Sequence, residues 1–166
     1  VIKEIRKFLK RDAILLADCG NNLAWAERYF QTYLPKCFIA DGGHTAMGFS
    51  VAAVIGAKLA APDRQVVDVC GNASFTMLCK ELNTASSYNI PAVWCILNDG
   101  NLGMIIQGQK FGYGIWEPER YIATQSWVMD FVKFAEACHA YGQRVDRPGE
   151  IGDALKNAFE SGKPSI

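Results

Sequence analysis

The sequence has no long hydrophobic run and no excess of charge of either sign. Gly, Asp or Lys interrupts each apolar stretch well before the about 18 residues that a membrane-spanning helix needs, so no membrane partner is expected. The 17 Lys and Arg residues balance 17 Asp and Glu residues, and no basic stripe breaks that balance. A neutral chain of this kind gives no electrostatic footprint for nucleic acid.

Closely spaced metal-binding cysteines are absent as well. The chain has six cysteines, but no two form a Cys-x-x-Cys pair, and most lie within apolar runs. The only histidines, His44 and His139, are not at ligand spacing, which disfavours a zinc site. Buried, reduced thiols are the favoured interpretation, and together with the lack of a visible targeting signal they predict a cytoplasmic protein.

What the chain does have is an ordinary globular composition. Its 166 residues are 50% hydrophobic and 20% charged, which is enough to bury a core. We expect one domain over residues 1–166. Because the chain opens without Met and residues 163–166 begin a strand-like pattern, we also expect this domain to belong to a longer multidomain enzyme.

Short apolar runs of strand length alternate with segments of helical spacing. Strands are predicted at 13–17, 37–39, 65–70, 92–97 and 143–145, and helices at 2–10, 21–29, 47–59, 75–88, 130–138 and 151–159. The pattern is mixed from Gly103 to about Trp127. Continuously apolar strands that alternate with helices predict an α/β fold of three layers, a parallel sheet with helices on both faces.

Four predicted strands are followed by short, polar loops that contain glycine. These loops are residues 18–22, 40–44, 71–74 and 98–101. In parallel α/β folds, ligands bind outside the carboxyl ends of the strands. Four such loops at one edge of a sheet therefore predict a site for an anion and a metal ion.

The third and fourth loops carry complementary chemistry. The Gly71-Asn72-Ala73-Ser74 loop lets the backbone approach a ligand closely and leads into a helix, whose free N–H groups suit phosphate. Asn98-Asp99-Gly100-Asn101 adds a carboxylate and amides, the oxygen ligands that magnesium prefers beside phosphate. Asn72 or Asp99 alone could be a turn or cap residue, but the pair favours a metal site.

The spacing of these loops resembles that of thiamine-diphosphate enzymes, which carry Gly-Asp-Gly and, roughly 25 residues later, Asn-Asn after an apolar strand. Here Gly71-Asn72-Ala73 is followed after 24 residues by Asn98-Asp99. The flanks of the two motifs, 74–75 and 102–105, match as well. Further segments resemble acetohydroxyacid (acetolactate) synthases, namely 18–20, 25–30, 42–49 and 130–137. The resemblance covers the whole chain and implies one of that family's three domains, the C-terminal diphosphate-binding domain with its thiamine-diphosphate-binding fold.

The chain departs from the family at three points. The family's metal-binding Asp falls on Asn72 and its metal-binding Asn on Asp99, so the two side chains are exchanged while one carboxylate and one amide remain. Ala73 replaces the second Gly of the first motif. Gln107-Gly108-Gln109 stands where these synthases have Gln-Trp-Gln, whose Trp shapes the choice of second substrate.

The resemblance implies roles for individual residues. The implied magnesium ligands are Asn72, Asp99 and the carbonyl of Asn101. The backbone carbonyl of Thr45 would accept a hydrogen bond from the aminopyrimidine, and Met47 would be the apolar wedge that bends the cofactor. The remaining implied cofactor-binding residues are Asn21, Asn22, Gly71, Ala73, Ser74, Asn101, Gly103 and Met104.

The implied activity is decarboxylation of a 2-oxo acid with carboligation, dependent on thiamine diphosphate and Mg²⁺. The family's pyrimidine-side Glu lies on another domain, so no catalytic residue is assigned here, and the expected partner is a pyrimidine-binding domain of the same or another chain in a homo- or hetero-oligomer. Two alternatives stay open: a non-carboligating 2-oxo acid decarboxylase subunit, and a non-catalytic regulatory module. A dinucleotide-binding domain is disfavoured because no Gly-x-Gly-x-x-Gly follows the first strand.

Overall fold

A computed structural model of the chain describes residues 1–122, 124 and 129–166. In it, four parallel strands form a sheet in the order β2-β1-β3-β4. The strands are β1 (Ile14–Ala17), β2 (Phe38–Ala40), β3 (Val66–Gly71) and β4 (Val93–Leu97). β1 and β3 lie in the centre and are buried along almost their whole length, as their continuous apolar sequences predict.

The described residues form eight α-helices around this sheet. They are α1 (Ile2–Phe8), α2 (Asn21–Tyr29), α3 (Phe49–Ala60), α4 (Asn72–Leu78), α5 (Glu81–Ser87), α6 (Gly103–Tyr113), α7 (Phe131–Ala137) and α8 (Ile151–Glu160). Short 3-10 turns occupy Pro118–Arg120 and Pro148–Glu150. No described helix has the length and apolar character needed to cross a bilayer.

Two hydrophobic clusters pack on opposite faces of the sheet. Alternate strand residues such as Leu15 and Val67 pack with α1, α2 and α8 on one face. Their neighbours Leu16 and Val66 pack with α3, α5 and α7 on the other face. The period of two along each strand thus divides the core into two, and the predicted three-layer arrangement is confirmed.

The helices after β3 differ from the sequence prediction. The predicted helix 75–88 is two helices, since α4 starts earlier, at Asn72, and ends at Leu78 before α5 begins at Glu81. Helix α6 was not predicted, because its buried residue is Gln109 and its sequence has little apolar periodicity. Trp127, at the end of the mixed segment, lies outside the described residues.

The predicted strand 143–145 is wrong. Tyr141 and Gln143 donate backbone hydrogen bonds to Pro164 and Ile166, but only an isolated bridge forms, between Tyr141 and Ser165. Ser165 also bridges Val93 in parallel, so the chain's last residues lie beside β4. Residues 143–145 are Gln-Arg-Val, with one apolar side chain, and this short pattern did not indicate that pairing would be confined to one bridge.

Candidate functional site

The carboxyl ends of all four strands lie at one edge of the sheet, because the strands are parallel. At this edge Gly71 of β3 pairs with Leu97 of β4. Asn72 follows one residue beyond this pairing and Asp99 two residues beyond its own strand. The structure therefore places the two predicted metal-binding side chains on neighbouring strand ends, as the sequence indicated.

Asn72 is the first residue of α4 and is 2% exposed. Its carbonyl accepts a hydrogen bond of 2.7 Å from Thr76 Oγ1. Its side-chain Nδ2 has no hydrogen-bond partner among the described residues. A buried amide without a partner costs about 1–3 kcal/mol, so this group is suited to a polar ligand at the sheet edge.

Asp99 lies in the exposed turn between β4 and α6. Its Oδ1 accepts a 2.9 Å hydrogen bond from the Asn101 backbone, and its own carbonyl accepts one of 2.7 Å from Asn101 Nδ2. A Cβ atom on Gly103 would lie 2.6 Å from Asp99 Oδ2 and 3.7 Å from Asn21 Nδ2. Gly103 thus allows the carboxylate to contact the start of α6, and the loops after β1 and β4 converge there.

Asn22 has a structural role that the sequence did not indicate. Its Nδ2 donates to the carbonyls of Asp18, at 2.6 Å, and Val69, at 3.1 Å, so both side-chain protons are used within the fold. The N-cap of α2 is Gly20, and neither Asn21 nor Asn22 caps that helix. Among the donors of Asn22, only the backbone N–H is left for the predicted diphosphate contact.

The loop from Asp41 to Gly48 is held by the Asp41 carboxylate. It accepts hydrogen bonds from the backbone N–H groups of Gly43 (3.1 Å), His44 (3.3 Å) and Ala46 (3.0 Å). These hydrogen bonds hold the pKa of Asp41 below its usual value. Within this loop Thr45 has φ 50°, in the left-handed region that a β-branched residue rarely adopts.

Asp18, which directly follows β1, is the buried anchor of the same segment. It is 1% exposed, and its Oδ1 accepts a 2.9 Å hydrogen bond from the Gly48 backbone. Its Oδ2 accepts 2.9 Å hydrogen bonds from both the backbone and the hydroxyl of Ser50. Sequence analysis missed the roles of Asp18 and Asp41, although the position of each at a strand end was a usable signal.

A second buried acid, Asp68, lies deeper in β3. It is 0% exposed, and neither carboxylate oxygen has a hydrogen-bond partner of ordinary geometry among the described residues. Burial raises the pKa of Asp68 to about 7, and the negative charge of Asp18 adds to the shift, while Ser50 and Cys70 act against it. The same burial raises the pKa of the Cys70 thiol well above its usual value.

The other predicted contacts lie at or near this edge. Ala73 and Ser74 are buried in the first turn of α4, Gly71 ends β3, Met47 is half-buried just before α3, and Met104 is 46% exposed in α6. Met47 precedes its helix instead of starting it, because α3 begins at Phe49. Ligand contact by these residues, and by Asn21, Thr45 and Asn101, stays a prediction.

A doubly covered parallel sheet with polar, glycine-containing loops at its carboxyl edge is the class of α/β domain that binds phosphate-bearing cofactors. Residues 18–166 match the sequence family described as "Thiamine pyrophosphate enzyme, C-terminal TPP binding domain", and the chain belongs to this family. The family predicted from the paired loops is therefore confirmed, and with it thiamine diphosphate as the cofactor.

The chain is similar to the large subunits of acetolactate synthases. It is 39% identical over 166 residues to a probable acetolactate synthase large subunit of Methanocaldococcus jannaschii, covering 100% of this chain and 27% of that protein. Identity to the acetolactate synthase isozyme 3 large subunit of Escherichia coli is 34% over 160 residues, which cover 96% of this chain and 27% of the relative.

A solved structure has the same fold. The thiamine diphosphate-dependent 4-hydroxybenzoylformate decarboxylase of Rhodococcus jostii RHA1 superimposes with a TM-score of 0.84 at 27% identity, covering 99% of this chain and 30% of that one. The chain thus spans between about a quarter and a third of the length of the proteins it matches.

Proposed function

We propose that this chain supplies the diphosphate and magnesium side of an enzyme that decarboxylates a 2-oxo acid and joins the product to a second carbonyl compound, as in acetolactate synthases. The observation that carries the proposal is the β3–β4 register, which brings Asn72 and Asp99 to one sheet edge in a member of the thiamine pyrophosphate enzyme family. The substrate class is that of the 2-oxo acids.

The oxygen atoms at this edge fit a hard cation. Asp99 supplies one carboxylate, Asn72 an amide oxygen and Asn101 a backbone carbonyl, which match the few protein ligands that magnesium takes beside phosphate oxygens. The Asp99 carboxylate is in an exposed turn, open to an ion from solution. These three residues would hold Mg²⁺.

Hydrogen-bond donors surround the same edge. Asn72 Nδ2 has no partner among the described residues, and Asn21 Nδ2 lies near the N-terminus of α6. In α6, an 11-residue helix, Ile105 and Ile106 donate to the Leu102 carbonyl, so the N–H groups of Gly103 and Met104 are the ones suited to bind an anion. Gly71, Ala73, Ser74 and Met104 complete the proposed diphosphate-binding set.

When bound, thiamine diphosphate supplies the electron-accepting ring that decarboxylation of a 2-oxo acid requires. The residues of this chain hold its charged end, orient its rings through the Thr45 carbonyl and the Met47 side chain, and leave proton transfer to a partner domain. We assign no general base within the chain.

The partner that this function requires is a pyrimidine-binding domain of the same or another chain, in a homo- or hetero-oligomer. Residues 1–166 would act as one domain of that enzyme. All six cysteines are unpaired, which supports a reducing cytoplasmic compartment.

The test is calorimetry of the intact protein with thiamine diphosphate, first with Mg²⁺ and then with a chelator. We expect binding with the metal and at least about tenfold weaker binding without it, because the diphosphate charge loses its counterion. Equal binding in both conditions would exclude the metal role. No binding in either condition would contradict the proposal as a whole.

A second candidate is a 2-oxo acid decarboxylase that performs no carboligation. It is favoured by the similarity to the Rhodococcus decarboxylase and by Gln107-Gly108-Gln109, which lacks the tryptophan of acetolactate synthases. Product analysis with pyruvate separates the two functions, since a carboligase forms acetolactate and a simple decarboxylase forms acetaldehyde. Cofactor binding without release of carbon dioxide from any 2-oxo acid would instead indicate a regulatory module.

A further inference from the structure

We infer that Asp18 and Asp41 are positioning residues, which fix segment 41–50 in the conformation that receives the ring portion of thiamine diphosphate. The inference rests on the proposed function, because it concerns the same cofactor. Neither aspartate is expected to touch the cofactor. Each acts on the backbone of the segment that carries Thr45 and Met47.

Asp41 fixes the first half of the segment. Its carboxylate accepts hydrogen bonds from three backbone N–H groups, those of Gly43, His44 and Ala46. Thr45, between the last two, keeps φ 50° although it is exposed and no core packing holds it. A β-branched residue leaves the left-handed region when nothing constrains it, so the Asp41 hydrogen bonds supply the constraint.

Asp18, at the carboxyl end of β1, fixes the second half of the segment. Its backbone N–H donates to the Val69 carbonyl at 3.0 Å, so the residue is held in the central sheet. Its carboxylate then accepts three hydrogen bonds of 2.9 Å from Gly48 and Ser50, all of them buried. Gly48 has φ 90°, and a Cβ there would lie 3.0 Å from the Leu78 side chain, so this turn tolerates only glycine.

The two anchors enclose the residues assigned to the cofactor rings. Thr45 lies between His44 and Ala46, whose N–H groups both donate to Asp41. Met47 lies between Ala46 and Gly48, whose N–H donates to Asp18. A segment that is ordered before binding loses less conformational freedom when the ligand arrives, which raises affinity. The diphosphate end is assigned to other loops, at Asn21, Asn72 and Gly103. Affinity for the rings is therefore separable from affinity for the diphosphate.

This separation defines the experiment. Titration calorimetry of the intact protein with Mg²⁺ compares thiamine diphosphate with inorganic pyrophosphate for wild type, Asp41→Asn, Asp18→Asn and Ser50→Ala. Asn puts an N–H donor where a carboxylate oxygen accepted from Ala46 or Ser50, and Ser50→Ala removes one of the three bonds to Asp18. The matched control is Asp146→Asn, which changes an exposed carboxylate that pairs with Arg144.

We expect both Asp→Asn variants to weaken thiamine diphosphate binding about tenfold or more, since each leaves a backbone N–H unpaired, while pyrophosphate binding changes less than about twofold. Ser50→Ala should also weaken thiamine diphosphate binding more than pyrophosphate binding, but by a smaller factor. If Asp18→Asn does not fold, Ser50→Ala tests the role of Asp18 in its place. Asp146→Asn should change neither affinity.

Equal losses for the two ligands would overturn the inference, because they would show that the aspartates only stabilise the fold. Unchanged affinity for both ligands in Asp41→Asn and Ser50→Ala would overturn it as well. Failure of the proposed function gives a different result, since wild type would then bind no thiamine diphosphate.

Discussion

Asn72 and Asp99 carry the amide and the carboxylate of the proposed metal site in the opposite order from that of thiamine-diphosphate enzymes. In this chain the amide is at the buried position, 2% exposed, and the carboxylate is in the exposed turn. Burying an amide costs less than burying a carboxylate, so the exchange lowers the desolvation cost of the site before a metal binds. The number of carboxylates stays at one.

The exchange is testable by moving the charge. Asp99→Asn removes the one carboxylate, so we expect Mg²⁺ affinity to fall roughly 10- to 100-fold in magnesium titrations of the intact protein with cofactor present. Asn72→Asp provides two carboxylates, which repel each other and the diphosphate, so its affinity should change less predictably. The double variant restores one of each and should recover most of the affinity lost in Asp99→Asn.

The two effects should not add, since both side chains would bind one ion. Asp146→Asn is again the charge-matched control, and it should leave Mg²⁺ affinity unchanged. If the double variant binds no better than Asp99→Asn alone, these side chains are not interchangeable ligands and the placement of the metal is wrong.

At the scale of the element, strand β3 carries an acid in the middle of the sheet. Asp68 pairs with Leu16 of β1 and Trp94 of β4, and it is fully buried on the face covered by α3. The polar groups around it are Asp18 at the end of β1, Ser50 of α3 and Cys70 of β3. Burial raises the pKa of Asp68 to about 7, so near neutral pH this carboxyl is protonated in about half of the molecules.

This shift predicts how stability changes with pH. The pKa of Asp68 rises from 3.8 to about 7 on folding, so the folded state holds the proton more tightly than the unfolded state. Asp68 therefore contributes fully to the free energy of unfolding below about pH 4. This contribution is lost as the pH rises through about 7, a change on the order of 4 kcal/mol. Asp68→Asn should abolish this loss.

The measurement is urea unfolding of the intact protein and of Asp68→Asn at about pH 5 and about pH 8. The variant should gain stability relative to wild type as the pH rises. Asp146→Asn, which changes an exposed aspartate, should follow the wild-type curve. Parallel curves for wild type and Asp68→Asn would show that Asp68 does not titrate between these values.

At the scale of the whole molecule, large apolar side chains are exposed next to the site. On α6 and the turn after it these are Met104 (46%), Ile105 (47%), Phe111 (73%), Tyr113 (81%) and Trp116 (58%). Exposed apolar groups that cluster along one element are typical of a contact surface. They support the proposal that another domain packs beside the site and supplies the missing catalytic group.

It follows that the 166-residue chain, expressed alone, should be catalytically inert. Binding of pyrophosphate with Mg²⁺ would first establish that the separate chain is folded. Carbon dioxide release from pyruvate should then be absent, and addition of the pyrimidine-binding domain should produce a complex detectable by light scattering. Decarboxylation at an enzymatic rate by the chain alone would contradict this prediction.

Much of the architecture is local in origin and was therefore predictable. Continuous apolar runs defined β1 to β4 within one residue at each end, because a strand covered on both faces must be apolar throughout. Loop composition identified the sheet edge, and the resemblance carried by the Gly71-Asn72-Ala73 and Asn98-Asp99 motifs identified the family. The positions of Asn72 and Asp99 at neighbouring strand ends follow from the parallel sheet. Helix α6 was missed because its surface is largely exposed and lacks the apolar periodicity that sequence analysis detects.

The sequence by itself determined the four strands and their order along the chain, the cofactor family and the chemical types available at the edge. Only the tertiary structure decided how the polar groups are used. Both side-chain protons of Asn22 donate to backbone carbonyls, and Asp18 accepts hydrogen bonds from the N-terminus of α3. Burial of Asp68 raises its pKa to about 7. Three of these hydrogen bonds, from Asn22 to Val69 and to Asp18 from Gly48 and Ser50, join residues 30 or more positions apart, and no local pattern contains such contacts.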